Sequence, residues 1–241
     1  SRRTLRHVAP LSRPVCQRST DQFHQARCNR GHISKMKFLY QHLFIPGTDP
    51  LAPPLLLLHG TGGDENDLIP VGQSLSPGSA LLSPRGDVSE NGMPRFFRRF
   101  AEGVFDLVDV EKRTQALADF IAAATAHYEI DAAKLVAIGY SNGANIAASL
   151  LWLRPETITG AVLLRPMVVL EPKSLPKLNG KRILISSGQH DPIVPVDHPP
   201  RLANRFREAG ADVTMNFHAG GHGIIQADVT AAKRFLHEKG G

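Results

Sequence analysis

Cysteine is almost missing from this chain. Of 241 residues only Cys16 and Cys28 are cysteine, and both stand among the first 35 positions. From residue 36 onward a thiolate nucleophile, a zinc–thiolate centre and a core disulfide are therefore excluded. A core without disulfides fits a cytoplasmic protein. Long apolar runs are lacking too. None approaches the roughly 18 residues that span a bilayer. The longest, around Leu55 to Leu58, has the length of a buried strand. Gly-Lys-Ser/Thr does not occur, which removes a P-loop.

Basic charge is lacking where a nucleic-acid face would need it. The net charge is +6, but residues 1–35 hold eight basic side chains against Asp21 alone. The other 20 basic and 21 acidic residues nearly cancel. The body of the chain is close to neutral, so no nucleic acid is expected as a partner.

The first 35 residues show no helical or strand periodicity. They contain Pro10, Pro14 and many arginines, with too little apolar area to offset chain entropy. A disordered basic extension is expected there. Its Arg-rich, acid-poor composition also suits an organelle transit peptide, while the apolar stretch of a secretory signal is absent. Met36 directly precedes the first strand-like run, Phe38 to Ile45, and reads as the natural start. One domain is expected over residues 36–241, a length that buries a sizeable core. The 42% hydrophobic content of the whole sequence argues against a disordered chain.

Within that domain strand-like and helix-like runs alternate. Strands are expected at Leu55–His59, Ala80–Ser83, Leu135–Gly139, Gly160–Leu164, Arg182–Ser186 and Val213–Phe217. Helices are expected at Asp64–Leu75, Glu111–Tyr128, Ala144–Leu153, Pro200–Ala209 and Gln226–His237. In the second of these, Leu117, Phe120, Ile121 and Ala124 recur at i, i+3, i+4, i+7. Residues 87–108, with Gly92, Pro94 and Gly103, read as irregular. The alternation predicts an α/β fold, a mostly parallel sheet with helices on both faces. Ligands then bind beyond the carboxyl ends of the strands.

Gly139-Tyr140-Ser141-Asn142-Gly143 matches G-x-S-x-G between a strand and a helix. A sharp turn there lifts the hydroxyl clear of the sheet, and the glycines remove side chains that would collide with it. The helix N-terminus turns N–H groups toward developing negative charge. The bland alternative is a helix-capping serine. A serine nucleophile needs a base, and the base needs an orienting carboxylate. Asp191 follows one late strand and His222, flanked by Gly221 and Gly223, follows the last. The order Ser, Asp, His is that of the α/β-hydrolase arrangement. Asp197 competes as the acid and His218 as the base. His222 is favoured because its glycine neighbours free it to reach Ser141. His218 and His222 have i, i+4 spacing, but Gly220 and Gly221 argue for a loop, so no metal is expected.

His59-Gly60-Thr61-Gly62-Gly63 follows an early strand. The backbone N–H groups of Thr61 and Asn142 are the candidate oxyanion donors. A dinucleotide fingerprint would need glycine where Glu65 stands, and Asp64 and Glu65 would repel phosphate.

Taken together, the chain resembles the carboxylesterase and phospholipase branch of the α/β-hydrolases, related to acyl-protein thioesterases and similar to dienelactone hydrolases. The blocks that carry the resemblance are Leu58–Gly63, Ser83–Gly86, Gly92–Phe97, Gly139–Gly143, Gly188–Asp191 and Gly221–Gly223, across about residues 40–240. The resemblance implies Ser141, Asp191 and His222 as a triad and the peptide groups of Thr61 and Asn142 as oxyanion donors. Dienelactone hydrolases usually carry cysteine at the nucleophile. Serine here favours simple carboxylic esters.

The expected function is a serine esterase acting through an acyl-enzyme, with no cofactor. An acyl-thioesterase or lysophospholipase could use the same triad. Some α/β-hydrolase folds bind ligands without catalysis, after losing a catalytic member; here all three are present. Phe96 and Phe97, with Met167, are the candidate walls of a small substrate pocket. Ordinary loop packing is the competing reading for the phenylalanines, and a core filler is the favoured reading for Met167. Monomer and homodimer both fit the sequence.

Overall fold

Four successive leucines, Leu55–Leu58, form a strand buried on both sides, and they show how the fold is built. Leu56 and Leu58 point into one apolar cluster, while Leu55 and Leu57 point into another. Successive side chains of a strand face opposite ways, so a run apolar throughout needs cover on both faces. The computed structural model describes residues 38–238. The expectations for residues 1–35, including Cys16 and Cys28, lie outside them.

The sheet has seven strands. They are β1 (His42–Ile45), β2 (Leu55–Leu58), β3 (Leu81–Pro84), β8 (Val136–Tyr140), β9 (Gly160–Leu164), β10 (Arg182–Gly188) and β11 (Asp212–His218). Their spatial order is β1-β3-β2-β8-β9-β10-β11. Only β1 runs antiparallel to its neighbour. Helices α2 (Leu107–His127), α3 (Asn142–Leu153) and α4 (His198–Glu208) contribute to the larger cluster on one face. Helices α1 (Ile69–Leu75) and α5 (Gln226–His237) cover the other. The chain thus has the mostly parallel sheet, covered by helices on both faces, that its alternation predicts. No helix among the described residues is long and apolar enough to cross a membrane.

Three local expectations are corrected. Residues 87–108 are not irregular: β4 (Val88–Glu90) pairs with β5 (Met93–Arg95), and β6 (Arg99–Ala101) with β7 (Val104–Phe105). Asn91 and Gly92 turn the first hairpin with φ of 52° and 82°, the backbone a two-residue turn of this kind requires. Helix α1 starts at Ile69, not Asp64. The Asp64 carboxylate accepts the Asn66 N–H at 2.8 Å, and this local turn competes with helix. Helix α2 starts one turn before Glu111, because Asp106 caps it by accepting the Asp109 N–H at 3.1 Å. Exposed Leu107 and Val108 hide that first turn from a reading by apolar periodicity.

Candidate active site

The carboxyl ends of β8, β10 and β11 gather the chemistry. β8 ends at Tyr140, and Ser141 turns the chain sharply into α3 with a φ of +51°. That conformation is unfavourable for a residue with a Cβ and persists only when its surroundings hold it. Part of the hold is the Ser141 N–H, which donates to Leu164 O on the neighbouring strand at 2.8 Å. Another part is close packing beneath the turn. A Cβ on Gly143 would run into the carbonyl oxygen of Leu58, so only glycine lets the first turn of α3 rest on β2.

Asp191 follows β10. Its side chain is 1% exposed. One carboxylate oxygen accepts the N–H groups of Ile193 and Val194, at 2.8 and 3.1 Å. The other accepts from His222 Nδ1 at 2.8 Å. Burial opposes ionisation of Asp191, but these three donors outweigh it and hold the carboxyl below its usual range. His222 follows β11, and its Nε2 lies 3.0 Å from Ser141 Oγ. An ionised carboxylate only accepts, so Nδ1 bears the proton and Nε2 is left to accept from the serine hydroxyl.

The competing residues stand outside this line. His218 places Nε2 on Asp228 at 3.0 Å and accepts the Gly220 N–H at 3.0 Å through Nδ1. Asp197 sits at the start of α4. No group of three or more His, Cys, Asp or Glu side chains among the described residues could hold a metal.

Thr61 and Asn142 lie at the ends of β2 and β8. Among the described residues the Thr61 N–H donates to no other group. Asn142 opens α3, where a helical N–H has no partner one turn back. The loop that carries Thr61 is fixed from below by His59. Its Nε2 accepts the Gly86 N–H at 2.9 Å, so its Nδ1 carries the proton and donates to Gly60 O at 2.6 Å. Burial lowers the pKa of His59, more than the Gly60 carbonyl and nearby carboxylates raise it.

The candidate pocket is corrected. Phe96 and Phe97 are 1% and 0% exposed and belong to the larger apolar cluster. Their rings fill the core under the site and form no open wall. The backbone of this segment is what reaches the site. Phe96 N–H donates to the Asn142 side chain at 2.7 Å, and Pro94 O accepts the Gly62 N–H at 3.0 Å. Arg95 is almost fully buried and donates to Thr61 Oγ1 at 2.6 Å. The first hairpin thus ties both candidate oxyanion donors together. Met167 is also buried, with its N–H on Asn145 Oδ1 at 2.7 Å. A cleft of about 660 Å³ opens at the opposite, amino ends of the strands, beside Val136, Gly160 and Arg182, and belongs to no part of this chemistry.

Comparison with known proteins agrees with this architecture. MhqD of Bacillus subtilis (strain 168) is 41% identical over 198 residues, which are 82% of this chain and 98% of that one. A crystal structure of the Bacillus cereus carboxylesterase superposes with a TM-score of 0.80 at 45% identity, covering 82% of this chain and 93% of that one. The carboxylesterase from Mesorhizobium loti gives 0.78 at 29% identity, covering 83% and 96%. The phospholipase/carboxylesterase family description matches residues 42–239. The chain belongs to the phospholipase/carboxylesterase family of α/β-hydrolases and is a carboxylic ester hydrolase.

Proposed function

We propose that the chain is a serine esterase in which Ser141 attacks the ester carbonyl, His222 moves the proton and Asp191 steadies the imidazole. The observation that carries this reading is the unbroken line from Ser141 Oγ to His222 Nε2 at 3.0 Å and from His222 Nδ1 to Asp191 at 2.8 Å. His222 takes the hydroxyl proton as the Ser141 oxygen bonds to the carbonyl carbon. The tetrahedral oxyanion is met by the N–H groups of Thr61 and Asn142. The intermediate collapses, and the alcohol leaves with the proton from His222. Water, deprotonated by the same imidazole, then hydrolyses the acyl-enzyme and restores Ser141. The cycle closes without a cofactor.

The acyl group proposed is short and the ester water-soluble. Between β3 and α2, on the active side, the chain makes two short hairpins and inserts no cap domain. A series of p-nitrophenyl esters from acetate to palmitate, with one acyl thioester, tests this. Turnover is expected to fall with chain length. Palmitate cleaved as fast as acetate would overturn the short-chain reading. A fluorophosphonate that labels wild type as readily as Ser141→Ala would overturn the nucleophile.

A further inference from the structure

The loop that carries His222 is unusual for its glycines and for how completely its backbone is held. Gly220, Gly221 and Gly223 surround the imidazole, and such a sequence has wide conformational freedom in isolation. Five consecutive carbonyl groups are nevertheless engaged. Ala219 O and Gly220 O accept from the ring and the N–H of His190, at 2.9 and 3.1 Å. Gly221 O accepts from Arg165 Nε at 2.9 Å. His222 O accepts from the Tyr140 hydroxyl at 3.2 Å. Gly223 O accepts from Arg165 Nη2 at 2.6 Å.

Arg165 therefore grips the carbonyls on both sides of His222. It follows β9 directly, its φ is +59°, and it is 0% exposed. Its remaining N–H groups meet Ser186 O at 3.2 Å and both oxygens of Asp228 at 2.8 Å. All five donors of the guanidinium are used. Asp228, 1% exposed, also accepts from Ser186 Oγ, His218 and the Ile225 N–H.

Stability alone is a poor reason for such a pair. Apolar residues of similar volume often replace a buried ion pair without loss. Apolar residues could not hold two carbonyls at a set spacing, however, and a planar fork can. Tyr140 immediately precedes the nucleophile, so its hydroxyl ties the base's own peptide to the turn that carries Ser141. Catalytic groups displaced by about 1 Å lose on the order of a hundred-fold in rate.

We infer that Arg165 and Tyr140 are positioning residues that fix the backbone of His222 and thereby hold its Nε2 on Ser141. The inference rests on the serine esterase reading above. Arg165→Lys keeps a positive charge for Asp228 but offers donors from a single nitrogen, which cannot span Gly221 O and Gly223 O. Tyr140→Phe removes one hydroxyl and leaves the ring.

The test compares wild type, R165K, Y140F and S141A. It measures kcat and KM on p-nitrophenyl acetate, the rate of fluorophosphonate labelling, and the low-field proton resonance of the His222–Asp191 bond. Circular dichroism checks the fold. R165K is expected to lose about ten-fold or more in kcat and in labelling rate, with KM changed by less than about three-fold. Y140F is expected to lose about three-fold in both. The low-field resonance should shift or broaden in each.

Folded R165K that labels and turns over like wild type would overturn the inference. Should R165K fail to fold, Y140F decides: an unchanged kcat, labelling rate and resonance overturns it, and a loss supports it. A wild type that resists labelling would instead sink the nucleophile assignment, and this inference with it.

Discussion

The Asp191 carboxylate divides its two oxygens between different tasks. Oδ1 accepts the Ile193 and Val194 N–H groups, and Oδ2 faces His222 Nδ1 at 2.8 Å. The carboxylate is locked by its own loop before it meets the imidazole.

That division makes Asp191→Asn informative. The two backbone donors demand an acceptor, so the amide oxygen takes the Oδ1 place and the NH2 group faces His222. Nδ1 must then accept, the proton moves to Nε2, and the imidazole can no longer receive the Ser141 proton. Turnover of p-nitrophenyl acetate should fall on the order of 10⁴-fold with the fold intact. A loss of less than about ten-fold would count against Asp191 as the orienting group.

Arg95→Met separates support of the oxyanion loop from catalysis itself. The variant loses the hydrogen bond to Thr61 Oγ1 and leaves the Pro94–Gly62 backbone bond in place. Its kcat is expected to drop about ten-fold, less than the 10² to 10³ typical when an oxyanion donor is removed outright. Steady-state kinetics on acetate and butyrate esters should show the same factor for both, because the loop acts on the carbonyl and not on the acyl chain.

Gly188→Ala is expected to injure the site without unfolding the chain. A Cβ there would collide with Gly220 O and lie 2.5 Å from Gly221 O, both backbone atoms. The loop that bears His222 must shift. A loss of about a hundred-fold in kcat is expected, with a native circular dichroism spectrum. Wild-type kcat in this variant would mean that the loop relocates without cost.

Asp228 gives an acid-side prediction. Burial opposes its ionisation, but Arg165, the Ile225 N–H and Ser186 prevail and bring the carboxyl down to about 2 from 3.8. A folded-state value below the unfolded one means the unfolded chain binds more protons between them. The stabilisation is therefore complete above the unfolded value and is lost as pH falls through about 2, an effect on the order of 2 kcal/mol. Urea midpoints measured from pH 5 down to pH 2 should fall more steeply for wild type than for Asp228→Asn. The variant should also start lower, because Arg165 loses its counter-charge. Equal slopes would argue against the depressed carboxyl.

Much of this was legible in the residues. β9 and α5 occupy the ranges expected of them, because β9 is a continuous apolar run and α5 carries Val229, Ala232, Phe235 and Leu236 at helical spacing. Ser141, Asp191 and His222 could be singled out because each stands next to a glycine-marked strand end, and the structure brings their side chains into hydrogen-bond range. The hairpins escape a reading by periodicity because strands of two or three residues carry none, although Asn91-Gly92 is a strong turn signal. The burial of Phe96 and Phe97 has no local mark, because neighbouring aromatics do not reveal which way a loop turns them. Arg165 and Asp228 are 63 positions apart in the chain, and nothing local in either marks the pair.

The positive φ of Ser141 has a thermodynamic corollary. A hydroxyl-bearing residue is kept in a region of backbone space where glycine would be relaxed. Ser141→Gly should abolish hydrolysis and yet melt above the wild type, by the few degrees that about 1 kcal/mol represents. Reactivity and thermal endurance would then be opposed at a single torsion, and selection for heat tolerance alone would tend to discard the nucleophile.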